Sequence, residues 1–414
     1  MNILILNELN LDYAPYHDWF KGQFDALYLL STTNTIDCIH KADEDILQYY
    51  EKVKFFEDYS ENGEVDYVAM QWLEKYKIDK IIALGEFDLI RAAKLREHYG
   101  IAGQNVQSAL AYRDKVVMKQ YIENTDVALP NYHEVDYGTD LLIGINAIGL
   151  PCILKTRSGG GSMGISVLKA HNDVRKALRE RFKTQERANL ILEAFVECNV
   201  YHVDGVVENG EIRSIWPSMY VNSCLSYQQG KAVCSYTLSV SNPLVDILKL
   251  ATKKVIEALP SPENFAFHAE FFVNDAQEVT FCEIASRVAG GGINESYTHA
   301  LGVNLEKCFA LGQLGALLVE DFGWQSPRHG LYGSLLIPQN SGVLTRAPKY
   351  CPLDYVVEFE LSAKVGQVLG AAQSSASRLA RFAFKGADEE DILANMLRIL
   401  PWFNEQTQWL TKVE

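Results

Sequence analysis

One stretch of the chain constrains its fold more than any other. Phe265–Ile293 reads FAFHAEFFVNDAQEVTFCEIASRVAGGGI, in which two apolar, strand-like runs flank a short turn at Asn274. Each run contains one acidic residue, Glu270 in the first and Glu283 in the second. Carboxylates rarely lie in apolar strands unless something pairs with them. The stretch therefore predicts a β-hairpin whose two carboxylates share a cation.

The pairing register of this hairpin decides whether the two carboxylates can meet. Side chains alternate between the faces of a strand, so His268 and Glu270 share a face, as do Phe281 and Glu283. A four-residue loop puts Glu283 opposite His268, with Glu270 as its diagonal neighbour. A slip of two residues puts the carboxylates directly opposite, whereas a slip of one sends them to different faces. Mg²⁺ suits the favourable registers. The alternative is two solvated charges on an exposed face.

Composition narrows the classes of function. The formal net charge of −15 and the lack of a basic run argue against a nucleic-acid-binding protein. An acidic surface repels anionic substrates, so a site that binds an anion must be lined locally with cationic side chains. The eight cysteines form no C-x-x-C pair, which predicts reduced thiols in a cytoplasmic protein. The first residues do not resemble a signal peptide, and no stretch is long enough to span a membrane.

The order of predicted elements indicates an α/β and α+β multidomain protein. Strands alternate with helices at the start of the chain, which predicts a parallel sheet, and one helix is expected to end at Gly100. A single helix is predicted over Ala111–Asn124, and a hairpin turn at Glu208–Gly210. We expect four units: an N-terminal α/β domain at 1–110, a lid-bearing subdomain with a glycine loop at 111–190, a metal and catalytic subdomain at 191–325, and a C-terminal module at 326–414.

The glycine loop follows a predicted strand. Residues 158–164, SGGGSMG, contain G-x-G-x-x-G, but a dinucleotide fingerprint requires a helix directly afterwards. The following residues, ISVLKA, alternate and are β-branched, so the loop joins two antiparallel strands. The backbone N–H groups of such a loop can bind a triphosphate, because no Cβ blocks the approach. The alternative is a flexible surface hairpin.

Two lysines and one strand end complete the candidate nucleotide site. Lys155 ends the strand before the glycine loop, and Lys115 lies in YRDKVVMK, so each can place an ammonium group on a phosphate. Lys115 and Lys119 share a helix face, and a solvated face is the alternative. The chain leaves a strand at residues 193–196, EAFV, where backbone groups can bind the edge of adenine. A core strand that simply ends there is the commoner explanation.

Taken in order, these pieces resemble the ATP-grasp superfamily. The motifs are RDKVVMK, PCILKTRSGGGSMGI, LEAFV, and HAEFF with FCEIASRVAGGG, and the resemblance covers roughly residues 80–304. The thirteen-residue step from Glu270 to Glu283 and the four-residue step to Arg287 look like those of the carboxylate–amine ligase branch, especially bacterial L-amino acid (dipeptide) ligases. The resemblance implies the ATP-grasp fold with a pre-ATP-grasp domain, and an ATP-dependent, ADP-forming ligase.

The resemblance also implies a role for individual residues. Glu270 and Glu283 would bind one or two Mg²⁺ ions, for which Mn²⁺ can substitute. Arg287 would face the reacting carboxylate, helped by backbone N–H groups of Gly291 and Gly292; a structural salt bridge is its alternative role. The implied nucleotide-binding residues are Lys115, Lys155, Ser158, Gly160, Gly161, Ser162, Met163, Glu193, Ala194, Phe195, Val196, Glu197 and His202.

The sequence departs from the superfamily pattern at two places. Many members carry a metal-binding Asn where this chain has Ala285, which puts the second Mg²⁺ in doubt. Many also carry a ribose-binding Glu near Val200. Glu197, His202 and Asp204 are possible substitutes for that Glu.

Three functions remain open at this point. The first is amide formation, in which a small carboxylic acid becomes an acylphosphate and then reacts with an amine. The second transfers the acyl group to a thiol, such as a carrier-protein pantetheine. The third is ATP binding without turnover, which the retention of Glu270, Glu283 and Arg287 disfavours. Trp216–Tyr227 and Asn294–His299 are expected to line the acceptor side. A homodimer is left open, and no nucleic-acid or membrane partner is expected.

Overall fold

The computed structural model describes residues 1–35, 46–161, 164–184, 186–222, 227, 230–316, 326–327, 330–372 and 377–410. Ser162 and Met163, two of the expected nucleotide-binding residues, lie outside the described residues. No helix within the described ranges is long and apolar enough to cross a membrane.

The N-terminal domain is built around a parallel sheet, as predicted. Its strands run in the order β3-β2-β1-β4, and the apolar side chains of β1 are fully buried because helices cover both faces. The third helix ends at Gly100, whose φ of +67° is the left-handed conformation that glycine adopts readily. The elements are β1 Asn2–Asn7, α1 Tyr16–Trp19, β2 Ala26–Thr32, β3 Lys52–Phe56, α2 Glu64–Tyr76, β4 Lys80–Ala83 and α3 Asp88–Tyr99.

The single helix predicted over Ala111–Asn124 is wrong. Two helices occupy the region, α4 at Val106–Arg113 and α5 at Lys115–Ile122, and Asp114 between them has an extended backbone. The Asp114 carboxylate accepts hydrogen bonds from the N–H groups of residues 116 and 117, at 2.9 and 3.3 Å, and so caps α5. This cap places Lys115 at the first position of α5, beside the glycine loop.

The glycine loop belongs to a four-stranded antiparallel sheet in the order β5-β8-β6-β7, which we call the lid sheet. The strand that comes last in the chain, β8, runs to Ala194 and so passes the predicted boundary at residue 190. We therefore propose that the lid subdomain continues to Ala194. The elements are β5 Tyr132–Val135, α6 Gly138–Ile148, β6 Cys152–Thr156, β7 Ser166–Leu168, α7 His171–Arg181 and β8 Leu190–Ala194.

An eight-stranded antiparallel sheet, the large sheet, carries the acidic hairpin at one edge. Its order is β13-β12-β9-β10-β11-β14-β18-β16. The last three strands in this order come from the expected C-terminal module, so we propose that this region continues the catalytic subdomain. The elements are β9 Asn199–Glu208, β10 Glu211–Tyr220, β11 Val233–Thr237, α8 Leu244–Ala258, β12 Phe265–Val273, β13 Val279–Ala285, α9 Ile293–Leu301, α10 Leu305–Leu314, β14 Leu331–Pro338, β16 Val356–Leu361, β18 Arg378–Gly386 and α11 Glu389–Gln406.

Two smaller features complete the fold. A three-stranded sheet in the order β17-β15-β19 is formed by β15 Gly342–Arg346, β17 Val368–Leu369 and β19 Gln408–Leu410. The turn between β9 and β10 has positive φ at Asn209 and Gly210, +53° and +78°, which is the conformation of the predicted two-residue hairpin.

Candidate functional site

The two carboxylates of the acidic hairpin lie directly opposite each other. From the turn, Val273 pairs with Val279 and Phe271 pairs with Phe281, which is the register that would separate the carboxylates. A β-bulge then inserts one extra residue into β13, and Glu270 pairs with Glu283. Phe281 and Glu283 therefore lie on opposite faces, so the prediction that they share one is wrong.

Lysines from two other elements surround the Glu283 carboxylate. Lys115 Nζ lies 3.3 Å from Glu283 Oε2, and Lys155 Nζ lies 3.7 Å from it. Burial alone would raise the pKa of Glu283, but the two ammonium groups hold it well below its usual range. The expected phosphate-binding lysines thus meet the expected metal ligand.

Glu193 pairs with Lys155 and with a third lysine, Lys119. Its side chain is 3% exposed, with Oε2 at 2.9 Å from Lys155 Nζ and Oε1 at 3.3 Å from Lys119 Nζ. Burial opposes ionisation, yet Lys119 and Lys155 hold the pKa of Glu193 below its usual value. Lys119 is fully buried and also donates to the Cys282 carbonyl at 3.0 Å, so the solvated face considered for it is excluded.

Two backbone carbonyl groups of the glycine loop accept hydrogen bonds from Arg113 and Lys115. Arg113 donates to the carbonyl of Ser158 at 2.6 Å, and Lys115 donates to that of Gly159 at 2.9 Å. Gly159 and Gly160 line the cleft together with Glu283. The loop lies over the cleft as expected, but here its carbonyls contact the cationic residues that a triphosphate would need. The expected binding by loop N–H groups therefore requires the loop to change its contacts.

Two backbone N–H groups of the strand end expected to bind adenine already donate hydrogen bonds within the lid subdomain. The N–H of Ala194 donates to the carbonyl of Asn131 at 2.8 Å, and the N–H of Phe195 donates to that of Pro151 at 3.2 Å. These two N–H groups are not free for a base, which corrects that part of the expectation. The Phe195 side chain is 39% exposed and stays a candidate for apolar contact with adenine, as do the neighbouring residues Val196 and Glu197.

His202 is not positioned to bind ribose. It is fully buried in the large sheet, with Nδ1 against Asp204 Oδ2 and Nε2 against the Ser235 hydroxyl. Asp204 is also fully buried and contacts His268 Nδ1 through Oδ1 at 2.8 Å. Both side chains are therefore occupied by contacts within the large sheet, which contradicts the expectation that either replaces the ribose-binding Glu. Their spacing of two on β9 places them on one face of the sheet, the face that also carries Glu270 and His268.

His202, Asp204 and His268 bring their ligand atoms within 4.8 Å of one another, and all three are buried. His268 Nε2 also lies 3.3 Å from Glu270 Oε1. Burial would lower the pKa of His268, but Asp204 and Glu270 raise it to about 9. Sequence reasoning placed His268 and Glu270 on one face, but it did not bring His202 and Asp204 together with them.

Arg287 forms an ion pair across the cleft. Its Nε contacts Oε2 of Glu86, a residue just beyond β4 of the N-terminal domain, while Oε1 of the same carboxylate contacts Arg113. Burial would raise the pKa of Glu86, but Arg287 and Arg113 hold it below its usual value. Arg287 lines the cleft beside Lys115 and Glu283. Sequence reasoning missed Glu86 and Arg113, since nothing local in the sequence connects them to Arg287.

The glycines after Arg287 form a tight turn against the large sheet. Gly291 and Gly292 have φ values of +76° and +83°, and the Ser334 hydroxyl donates to the Gly291 carbonyl. A Cβ at Gly292 would lie 2.5 Å from that hydroxyl oxygen and 3.0 Å from Cδ of Arg381, so only glycine fits. The turn leads into α9, whose first-turn residue Glu295 pairs with Arg381 at 2.7 Å.

The segments expected to line the acceptor side are largely structural. Trp216 is 2% exposed and its indole N–H donates to the Leu238 carbonyl at 3.0 Å. Tyr297 is 1% exposed and its hydroxyl bonds to that of Ser214 at 2.7 Å. These two aromatic residues are therefore part of the core and do not line the acceptor side. Residues 223–226 of the first segment lie outside the described residues, and the remaining residues of both segments stay candidates.

A second cavity, of about 540 Å³, opens at the carboxyl edge of the N-terminal sheet. Burial and the neighbouring Asp88 raise the pKa of Glu8 in this cavity to about 7. The lining has three carboxylates and no cationic side chain among the described residues, so it would repel a triphosphate. The lining residues are Glu8, Thr32, Thr33, Asn34, Glu57, Asp58, Tyr59 and Ser60.

Comparison with known proteins agrees with this geometry. The ATP-grasp domain family matches residues 120–298, which include the lid sheet with Lys155 and the acidic hairpin; Lys115 and Lys119 lie just before the matched range. The chain contains an ATP-grasp domain. The L-arginine-specific L-amino acid ligase of Bacillus subtilis is 24% identical over 334 residues, 78% of this chain and 79% of that protein.

Solved structures share the ATP-grasp fold over almost the whole chain. The L-amino acid ligase of Bacillus licheniformis has a TM-score of 0.76 at 14% identity and covers 99% of this chain and 98% of its own. N5-carboxyaminoimidazole synthase of Aspergillus clavatus, in complex with ADP and an aminoimidazole ribonucleotide, has a TM-score of 0.70 at 12% identity and covers 98% of each chain. The predictions of an ATP-grasp fold and of an ATP-dependent, ADP-forming ligase are confirmed.

The ATP-grasp cleft of this chain has the donor set that a nucleotide with a divalent cation requires. Lys115 and Lys155 are 6% and 5% exposed, so their charges are little screened by solvent. Glu270 and Glu283 supply opposed carboxylate oxygens, which Mg²⁺ and Mn²⁺ prefer. The residues therefore fit ATP and a divalent metal ion.

Proposed function

We propose that this protein activates a small carboxylic acid, an amino acid or a related acid, as an acylphosphate and joins it to an amine. The products are an amide or dipeptide, ADP and phosphate. The observation that supports this most strongly is the pairing of Glu270 with Glu283 in a cleft that also contains Lys115 and Arg287. Binding of ATP alone would not require an arginine beside the metal ligands.

In the first step, the substrate carboxylate attacks the γ-phosphoryl group and ADP leaves. This reaction needs positioning and neutralisation of charge more than covalent help from the protein. Lys115 and Lys155 bind phosphate oxygens, and in doing so they release the Glu283 carboxylate that they hold in the free protein. Glu270 and Glu283 would hold a divalent cation, and that ion would supply charge neutralisation at the phosphates.

In the second step, the amine attacks the acylphosphate and phosphate leaves. Arg287 stabilises the negative charge of the tetrahedral intermediate, and N–H groups of the Gly291–Gly292 turn assist it. Glu86 keeps the guanidinium aimed into the cleft, because its carboxylate is fixed from the other side by Arg113. The glycine loop covers the cleft and excludes water, which would hydrolyse the acylphosphate.

The amine acceptor is favoured over a thiol by the relatives. Both the Bacillus subtilis relative and the Bacillus licheniformis structure are named as L-amino acid ligases. We therefore propose an amino acid as the activated acid and a second small amine as its partner. Transfer to a carrier-protein thiol remains the second candidate function.

A substrate screen tests the proposal. The protein, ATP and Mg²⁺ are mixed with single carboxylic acids, with and without amines, and phosphate release is measured. We expect release to require both an acid and an amine, and mass spectrometry to detect the amide. Release that needs a carrier-protein thiol instead would favour the second function. Bound ADP with no release for any acid would contradict both.

A further inference from the structure

We propose that His268 is a third protein ligand of the divalent cation held by Glu270 and Glu283. The centre then contains an imidazole nitrogen beside carboxylate oxygens, and it binds Mn²⁺ more tightly than an all-oxygen site would relative to Mg²⁺. This inference rests on the proposed function, which places a cation at these two carboxylates.

The first argument is the position of the imidazole ring. His268 lies two residues before Glu270 on β12, so both side chains leave the same face of the strand. Its Nε2 is 3.3 Å from Glu270 Oε1, close enough for one cation to contact both atoms. His268 also lines the cleft with Glu283 and Arg287.

The second argument is the residue that lies across the hairpin from His268. Its partner on β13 is Ala285, which has no ligand atom, while the next pair on the same face is Glu270 with Glu283. These two pairs therefore present three ligand side chains on one face, and the imidazole fills the place where the opposite strand offers none.

The third argument is the hydrogen bond that orients the His268 ring from its other side. Asp204 Oδ1 lies 2.8 Å from His268 Nδ1, and a carboxylate can only accept there, so Nδ1 carries the proton and Nε2 faces Glu270. A carboxylate that orients a histidine in this way is the usual outer partner of a metal-bound imidazole. Asp204 is itself fixed through its other oxygen by His202.

A cation at this position would be bound through the lone pair of Nε2. Any proton on that nitrogen would leave to solvent when the ion binds, because a metal-bound imidazole must present an unprotonated nitrogen.

Pulsed electron paramagnetic resonance on the full-length protein with Mn²⁺ and ADP tests the proposal without any mutation. Protein is prepared with natural and with ¹⁵N-labelled histidine. We expect a nitrogen coupling typical of directly bound imidazole, which changes with the isotope, together with ³¹P couplings from the nucleotide. If the ³¹P couplings are present and the histidine coupling is absent, the inference is wrong and the proposed nucleotide site stands. If neither is detected, the proposed function itself fails.

Variants assign the coupling to one histidine. His268→Gln places an amide oxygen near the position of Nε2, so we expect loss of the nitrogen coupling and a shift of preference towards Mg²⁺. His202→Gln is the matched control, since that ring contacts Asp204 and Ser235 but not Glu270, and the coupling should persist. Loss of the coupling in His202→Gln alone would overturn the assignment. Asp204→Asn should keep the coupling but weaken Mn²⁺ binding by about 10–100-fold.

Discussion

Glu270 and Glu283 face each other because a β-bulge in β13 accommodates one extra residue between their rung and the next. That residue is Cys282, between Phe281 and Glu283. If the register from the turn continued without a bulge, Glu270 would pair with Cys282, and Glu283 would lie on the core face, where Phe271 and Phe281 stack edge-to-face with ring centroids 5.7 Å apart. The position of Glu283 therefore depends on the bulge.

Deleting Cys282 should remove the bulge but keep Glu270 opposite Glu283, because Glu283 would then follow Phe281 directly in the register that runs from the turn. We therefore expect ATP-dependent phosphate release and Mn²⁺ binding to persist in this variant. Cys282→Ala, which keeps the backbone length and the bulge, is the control. Loss of Mn²⁺ binding in the deletion variant alone would show that the pairing requires the bulge itself.

Glu283→Gln should lower turnover on the order of 100-fold or more, since losing a ligand exceeds the 10–100-fold effect of losing an outer partner. Binding of ADP should persist, because Lys115 and Lys155 lose a competing negative charge. Turnover is followed by phosphate release and binding by calorimetry. Asp275→Asn, an exposed residue in the turn of the same hairpin, is the matched control. Full activity of Glu283→Gln would remove this carboxylate from the mechanism.

Arg287→Ala should lower kcat by about 10²–10³-fold, the usual effect of removing one stabiliser of a developing oxyanion. The affinity for ADP should change little, because Arg287 is not among the residues proposed to bind the phosphates. Arg213→Ala removes a half-exposed arginine paired with Glu208 at 3.1 Å and serves as the control. A large loss of ADP binding with unchanged kcat would reassign Arg287 to the nucleotide.

Local sequence patterns predicted the features of the fold and of the site that are determined by residues close together in the sequence. The hairpin at Asn209, the end of α3 at Gly100 and the loop between two antiparallel strands all follow from short-range rules of glycine and alternation. The break at Asp114 was missed because its helix-capping role competes with the helical periodicity on both sides.

Contacts between distant segments could not be predicted in this way. Glu86 meets Arg287 across 201 residues of chain, and Lys119 meets the Cys282 carbonyl across 163. The bulge was missed for a different reason: Phe281 and Glu283 have the spacing of one face, and only packing of Phe281 against Phe271 decides that they separate. Tertiary packing overrides alternation at that point.

Stability should depend on pH through Glu8, whose carboxyl group lies in the N-terminal cavity. Burial and Asp88 raise its folded pKa from 4.5 to about 7. A raised folded pKa stabilises the protein most below about pH 4.5, and this contribution is lost as the pH rises through 7. Glu8→Gln removes the ionised form, so at pH 8 the variant should exceed the wild type in free energy of unfolding by about 1–3 kcal/mol. At pH 5 the difference should be small.

Urea unfolding at the two pH values measures this difference in the free energy of unfolding. Glu57→Gln is the control, because that carboxyl group is exposed in the same cavity. A difference that stays constant between pH 5 and pH 8 would mean that Glu8 is already ionised in the folded protein at the lower pH.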